Sequence, residues 1–414
     1  MQQQAQGPGH EFDPTTDTVR ADPHGLYRSL RARCPVAHSE AYGGFWIATQ
    51  RADIERITTD PVTFTSRHGI IVPRNPASGR RPPLHFDPPD HTVFRTAINP
   101  AFRKDRLRRL EPVLADRARE LAEEVAARGH FDGFADLASP LAATTVGHLL
   151  NLPEGLFEPM TRHAARFELA QFAFDAEEVE RENQVLYRLS RELVAERRAN
   201  PLDPEEDLVS GLLAVDLTRT ELAPGPDTDP GAAAEALEEI VAGSVRQLVV
   251  AGHGAPALVL ASAIGHLADD PDLQDRVRRR PELLDGVMEE LLRLHTPNQG
   301  FARTATAEVE LGGRTIPAGS LIAIPYTSAN RDEAVYDRPD EVVPERSERH
   351  LAFGFGVHVC PGAHLGRLQT SLALSALLTA TTAIERTGPA TWAPFPVHGP
   401  SRLPLLAHGT NLPD

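Results

Sequence analysis

The chain has 414 residues, is 41% hydrophobic and 24% charged, and carries a formal net charge of −16. It is long enough to bury a large core, and too acidic to expect a nucleic-acid backbone as partner. Its two cysteines, Cys34 and Cys360, argue against a disulfide scaffold and fit a reducing compartment. The N-terminal run lacks an apolar stretch, predicting neither signal peptide nor membrane anchor, so a cytoplasmic protein with no membrane partner is expected.

Taken in chain order, residues 1–20 read as a flexible arm ahead of a single domain over 21–414. "GGFWIATQRADIERI" (43–57) predicts a short strand followed by a helix. Residues 65–90, rich in Pro, Gly and Arg, form an irregular stretch whose length suits a lid or binding loop better than a connector. From 91 to 200, apolar residues at three-and-four spacing predict successive helices. Residues 222–231 read as a linker. The following run of about 40 residues has helical character and, at about 1.5 Å per residue, could cross a whole domain. A further helix is expected over 281–295, a small β-unit over 309–331, and an amphipathic helix over 363–383. The fold class is therefore mainly α with small β-sheets.

The chemistry concentrates around Cys360, in "HLAFGFGVHVCPGAHLGR" (350–367). A lone cysteine is most often a small buried hydrophobe. Here, however, Phe353, Gly354, Gly356 and Gly362 surround it, and glycines let backbone approach a flat ligand closely. A helix starting just after Cys360 directs its N–H groups and positive dipole end at the sulfur, favouring thiolate.

This arrangement, Phe353-x-x-Gly356-x-x-x-Cys360-x-Gly362 followed by Gly366-Arg367, closely resembles the haem-thiolate loop of the cytochrome P450 family. The resemblance implies that fold, a b-type haem with Cys360 as iron ligand, and dioxygen activation. It extends over nearly the whole chain. Glu290-x-x-Arg293 and Arg346 stand where the family buries a cluster supporting the loop, a role suited to the bidentate fork of Arg. His91, Arg95, Arg303 and His358 match the positions that hold the two haem propionates. Phe353, Gly354 and Gly362 complete the cofactor-binding set.

The long helix contains Ala251-Gly252-His253-Gly254-Ala255-Pro256, where the family has its oxygen-activating stretch. The usual acid and threonine are replaced by Gly254 and Ala255. Proton delivery must then draw on water, the substrate or another side chain. Gly254→Asp or Glu with Ala255→Thr is expected to place the usual pair at the correct positions. At about 100° per residue, His253 points away from the face bearing Ala251 and Ala255, which predicts a structural histidine. Gln247, Val250, Ala251, Gly254, Ala255 and Leu258 are expected on the haem-facing side. Pro256 should open or kink the helix, since it cannot donate to the Gly252 carbonyl. Gln247, Val250, Asn298, Gln299 and Val397 are the substrate-pocket candidates, with Phe167, Phe172 and Phe174 as an apolar roof.

The resemblance implies a monooxygenase acting on a small organic substrate, expected to be a specialised metabolite. The alternatives are an oxidase that couples or dehydrogenates substrate without oxygen insertion, and a haem-bearing recruitment protein without turnover. Electrons are expected from a separate ferredoxin and ferredoxin reductase or a flavodoxin-type donor. The donor's docking surface is expected to include Arg103, Lys104, Arg106 and Arg367, on a monomeric protein.

Overall fold

The structure is a computed structural model that describes residues 12–14, 16, 17, 19, 22–74, 81–173, 175–223, 225 and 228–410. The larger body is helical. It comprises α1 (Pro23–Arg33), α2 (Arg51–Thr59), α3 (Asp90–Ile98), α4 (Lys104–Arg128), α5 (Ser139–Leu149), α6 (Glu154–Phe172), α7 (Ala176–Ala199) and α8 (Leu208–Leu213). There follow α9 (Pro230–Asp269), α10 (Pro271–Arg279), α11 (Leu284–Leu294), α12 (Tyr326–Ala329) and α13 (Ala363–Ala380).

Helix α9 is the organising element, at 40 residues. Asp229 caps its first turn by accepting from the Ala232 N–H, and Pro230 sits at the start, where a missing N–H costs nothing. By length and composition it could cross a membrane, but its apolar window is 61% buried inside the protein. Val241, Val245 and Val249 pack with α3, α4, α6 and α7, whereas Leu260, Ile264 and Leu267 pack with α5, α11 and α13. Burial on almost all sides explains why this helix lacks a polar face.

The largest sheet contains β1 (Val36–Ser39), β2 (Phe45–Ala48), β3 (Phe64–Thr65), β5 (Ala302–Ala305) and β8 (Leu321–Ala323), in the order β1-β2-β8-β5-β3. Strands β6 (Val309–Leu311) and β7 (Arg314–Ile316) form a hairpin. Strands β4 (His130–Asp132), β9 (Thr381–Arg386) and β12 (Pro404–Gly409) make a three-stranded sheet, while β10 (Thr391–Trp392) pairs with β11 (Pro400–Arg402).

Several sequence expectations change. Helix α13 ends at Ala380, and Thr381–Thr382 begin β9, because tertiary pairing of these β-branched residues with β12 overrides the helical pattern. Helix α9 runs on through Pro256 to Asp269. Of the N-terminal arm, residues 1–11, 15, 18 and 20 lie outside the described residues. Phe12 is 2% exposed and packs edge-on against Phe45, so the chain is already anchored there. Residues 75–80 of the 65–90 stretch lie outside the described residues. Its start is tied down by β3–β5 pairing and by a bond from the Val72 N–H to the Gly300 carbonyl.

Candidate functional site

The loop before α13 holds Cys360 through its own backbone, with the Cys360 N–H donating to the Phe353 carbonyl at 2.8 Å. Gly354 and Gly356 have φ of +77° and +71°, a region that L side chains avoid. A Cβ at Gly356 would also lie 2.1 Å from the Thr58 carbonyl oxygen, so α2 and this loop can approach only if the residue is glycine. Phe353 packs against Gly366 and lies under the Arg367 guanidinium, 4.6 Å from its ring centroid. The Cys360 thiol sits in a recess. It is solvent-accessible, yet the surrounding protein raises its pKa by desolvation, opposed by the Gly362 N–H and by Arg95 and Arg367. Cys34 is buried against the Val36 carbonyl in another cluster.

The loop is braced from α11. Glu290 accepts from Arg293 Nε and Nη2 at 2.7 and 2.9 Å, from Arg346 Nε at 3.0 Å and from the Val343 N–H. Arg293 is fully buried and also donates to the carbonyls of Asn330, Pro339 and Glu341. Burial alone would raise the Glu290 pKa, but the Arg293, Val343 and Arg346 bonds outweigh it and hold it below its ordinary value. Every polar atom of this pair is occupied, the condition under which a buried ion pair is tolerated. Next to it, Glu289 binds Arg367 and His350, which hold its pKa down to about 2 despite partial burial.

A second constellation forms beside the cysteine. The His91 and His358 rings meet at 4.5 Å, and Arg95 donates to the Val359 carbonyl in the cysteine loop. Arg303 is 5% exposed and donates to the Ala302 carbonyl. His358 contacts Ser66 Oγ at 3.1 Å, and Ser66 is held by Asp87. The His358 pKa is pushed down to about 2 by burial and then by Arg303, His91 and Arg95, while burial and Arg95 bring His91 to about 4. His91 Nε2 is buried with no hydrogen-bond partner. Four basic side chains thus face one another, and Asp87 is already engaged by Thr65 and Ser66. The imidazoles are neutral at these values, but the two buried guanidinium groups and the unpartnered His91 Nε2 suit an anion, and the two propionates of a haem meet that need beside Cys360. The residues present fit the group.

Helix α9 forms the opposite wall. Val259, one turn after Ala255, packs with Met288, Leu292, Ala352 and Phe353, which ties the helix to the cysteine loop. Ala251 is exposed and Gln247, Val250 and Ala255 are half-buried, although the helix lies in the core, so this stripe faces open space. Leu258 is buried against Gly399 and leaves the stripe. Gly252 and Gly254 serve close packing instead. A Cβ at Gly252 would meet Val146 at 2.9 Å, and one at Gly254 would meet Glu168 Oε1 of α6 at 2.1 Å. Gly254, expected on the haem-facing side, instead packs against a carboxylate of another helix.

That carboxylate is part of a buried relay. Glu168 Oε2 bonds His253 Nδ1 at 2.6 Å, and His253 Nε2 meets Ser139 Oγ at 3.1 Å. Glu168 Oε1 is buried with no partner. Burial raises the Glu168 pKa and the neighbouring imidazole only partly opposes it, so the pair keeps a proton to higher pH than a free carboxyl would. His253 is buried with both ring nitrogens engaged, facing away from the Ala251–Ala255 stripe. Glu168 was not legible in the sequence, since it is one charge among many on an amphipathic helix.

The remaining pocket candidates divide. Gln247 Oε1 accepts from Arg81 Nη1 at 2.9 Å. Asn298 bridges Val397 through the backbone, and both are half-buried. Gln299 is corrected: it is 3% exposed and its Oε1 accepts from the Tyr27 hydroxyl, which removes its side chain from a pocket wall. Phe167 is buried under Arg246 rather than roofing a cavity, and Phe174 lies outside the described residues.

The family model of cytochrome P450 matches residues 175–382. Over 93% of this chain and 92% of the relative, the sequence is 30% identical to cytochrome P450 109 of Bacillus spizizenii. It is 32% identical to nocardicin C N-oxygenase of Nocardia uniformis, over 88% of this chain and 90% of that one. The solved structure of cytochrome P450 CYP109Q5 from Chondromyces apiculatus superposes with a TM-score of 0.82 at 27% identity, covering 97% of this chain and 99% of the other. The chain belongs to the cytochrome P450 family. It is a haem-iron monooxygenase of the haem-thiolate type.

Proposed function

We propose that the protein uses a b-type haem ligated by Cys360 to insert oxygen into a small organic substrate, a specialised metabolite, with electrons from a separate ferredoxin or flavodoxin-type donor. The observation that carries the reading is the exposed Cys360 beside two buried guanidinium groups, Arg95 and Arg303, and two imidazoles, His91 and His358, that burial keeps neutral. His91, Arg95, Arg303 and His358 would hold the propionates. Phe353, Gly354 and Gly362 would shape the thiolate side, with Glu290, Arg293 and Arg346 keeping the loop in place. The bound haem supplies the site for dioxygen reduction. Residues 21–414 act as one domain in this reading, and the protein as a monomer.

The chain's own part is binding and protons. Ala251 and Ala255 present a smooth wall to the open space. In this reading the Glu168–His253 pair is the proton reservoir, with the shared proton at the Oε2–Nδ1 contact. Oxygen insertion is tested by incubating the reconstituted enzyme with labelled dioxygen. A product one labelled oxygen atom heavier than the substrate is expected; a dehydrogenated or dimeric product, or none, would favour the alternatives.

Electron delivery is assigned to the basic face beside the cysteine loop, in a revised form. Arg106 is buried and bonds Glu206 and Asn151, Arg103 pairs with Glu205, and Arg367 with Glu289. Lys104 and Arg108 are exposed and line one recess with His364. Lys104→Glu with Arg108→Glu is expected to slow reduction by an acidic ferredoxin roughly tenfold at low salt and to flatten its salt dependence. Stopped-flow reduction rates indifferent to both changes would remove this surface from the proposal.

A further inference from the structure

Residues 217–222, between α8 and α9, form a self-capped turn. Thr220 Oγ1 donates to the Leu217 carbonyl at 2.7 Å and accepts from the Leu222 N–H at 3.1 Å. Leu217 packs in the same apolar cluster as Phe86 and Phe94, on either side of the start of α3. Glu221 ties this turn to two other segments. Its N–H donates to Asp90 Oδ1 at 2.8 Å, and its carboxylate accepts from both ends of the Arg67 fork, from Nη2 at 3.0 Å. Arg67 Nε in turn lies 3.4 Å from Asp87 Oδ2. Both anchor points belong to segments that carry the basic cluster beside Cys360. Asp90 opens α3, the helix of His91 and Arg95. Arg67 follows Ser66, whose N–H donates to Asp87 and whose Oγ meets His358 Nε2 at 3.1 Å. From surface to cluster, the contacts run Glu221, Arg67, Asp87, Ser66, His358.

We propose that Glu221 and Arg67 form an ionic strap that closes the propionate side of the haem cleft and slows release of the haem. The proposal rests on the reading of the basic cluster as the propionate site, and adds two residues that lie outside that cluster. Haem leaves only when the segments presenting its propionate partners move apart. The segment bearing Ser66 and Arg67 is held weakly by local structure, since β3 contributes just two residue pairs to its sheet. The strap fixes it to a third segment through a two-pronged guanidinium–carboxylate contact, the geometry in which an ion pair is strongest. The two ends differ in exposure. The Glu221 side chain is 57% exposed, whereas Asp90 is 2% exposed. Solvent therefore weakens the outer contact to the scale of a surface ion pair, and the buried inner contacts stay made when it opens.

The test follows haem transfer from the ferric holoenzyme to excess apomyoglobin, read from the Soret band. Glu221→Gln keeps the backbone bond to Asp90 and loses only the charge; it is expected to speed transfer roughly threefold to fivefold. Arg67→Gln should do at least as much, because it also gives up Asp87. Arg67→Lys, which keeps the charge without the fork, should fall between wild type and Arg67→Gln. The double variant Glu221→Gln, Arg67→Gln should be no faster than Arg67→Gln, since the second change removes a contact already lost. Glu239→Gln is the control: it breaks an equally two-pronged, exposed pair with Arg191 on α7, away from the cluster, and should leave the rate unchanged. Overturning results are a wild-type rate in Glu221→Gln, single effects that multiply in the double variant, or a Glu239→Gln rate as fast as that of Glu221→Gln. The last would mark general loosening rather than a strap. Such a failure with a thiolate-type carbon-monoxide spectrum intact leaves the monooxygenase reading standing; absence of that spectrum in wild type strikes the reading itself.

Discussion

Cys360→Ser is expected to remove the thiolate-type Soret band of the reduced carbon-monoxide complex and to lower monooxygenase turnover by more than roughly 100-fold, beyond the loss of an outer-sphere partner. A serine hydroxyl stays protonated where the thiol can ionise, and it lacks the sulfur electron density that helps cleave the oxygen–oxygen bond. The change is nearly isosteric, and the Cys360 N–H bond to the Phe353 carbonyl is a backbone bond that survives it. Cys34→Ser is the control, because Cys34 lies in a separate buried cluster with Tyr27 and Phe45. A thiolate-type band that persists in Cys360→Ser would sink the assignment of the ligand. Folding is checked by far-ultraviolet circular dichroism, so that lost haem is not confused with a lost fold.

Gly254→Asp, alone or with Ala255→Thr, is expected to destabilise the protein by about 2–4 kcal/mol rather than to restore a proton donor. The new Cβ would stand 2.1 Å from Glu168 Oε1, so Glu168 must swing away and break its 2.6 Å bond with His253. Glu168→Ala vacates that space. The double variant Glu168→Ala, Gly254→Asp should therefore be more stable than the sum of the two single changes implies. Strict additivity in thermal melts would show that the two residues do not compete. Glu168→Gln keeps the shape and loses the acid; it should release roughly tenfold more peroxide per product formed. The pH sign also follows. A carboxyl whose folded pKa is raised contributes stability below its ordinary value and loses it as pH rises through the folded value, so Glu168→Gln should flatten the fall in wild-type melting temperature above the ordinary carboxyl range. Peroxide leakage equal in Glu168→Gln and wild type would remove Glu168 from proton delivery.

These two sites differ in how much the sequence reveals. The Cys360 loop is local: its glycines, cysteine and following helix are consecutive, so backbone conformation and dipole direction can be reasoned from neighbours in the chain. The Glu290–Arg293 pair is legible for the same reason, at helical spacing on one face. The amphipathic α7 follows from hydrophobic periodicity, and the length of α9 from an unbroken apolar run of helical character. The end of α13 was misread because Thr381 and Thr382 continue an apolar pattern that only the partner strand β12 converts into sheet.

By itself the sequence determined the mainly helical class, the glycine-bounded cysteine loop and its brace, and the Gly254-Ala255 pair in the middle of α9. Those properties reside in short-range spacing, which the chain carries wherever it folds. The tertiary structure decided what surrounds them. Glu168 reaches Gly254 across 86 residues of sequence, Arg81 reaches Gln247 across 166, and Gln299 is drawn to Tyr27 across 272. Each pairing depends on which helix or strand packs against which, and each involves a polar side chain that is ordinary in its own segment. Burial alone makes it consequential: removal from water forces a buried carboxyl or guanidinium to find a partner, and packing chooses which partner it finds.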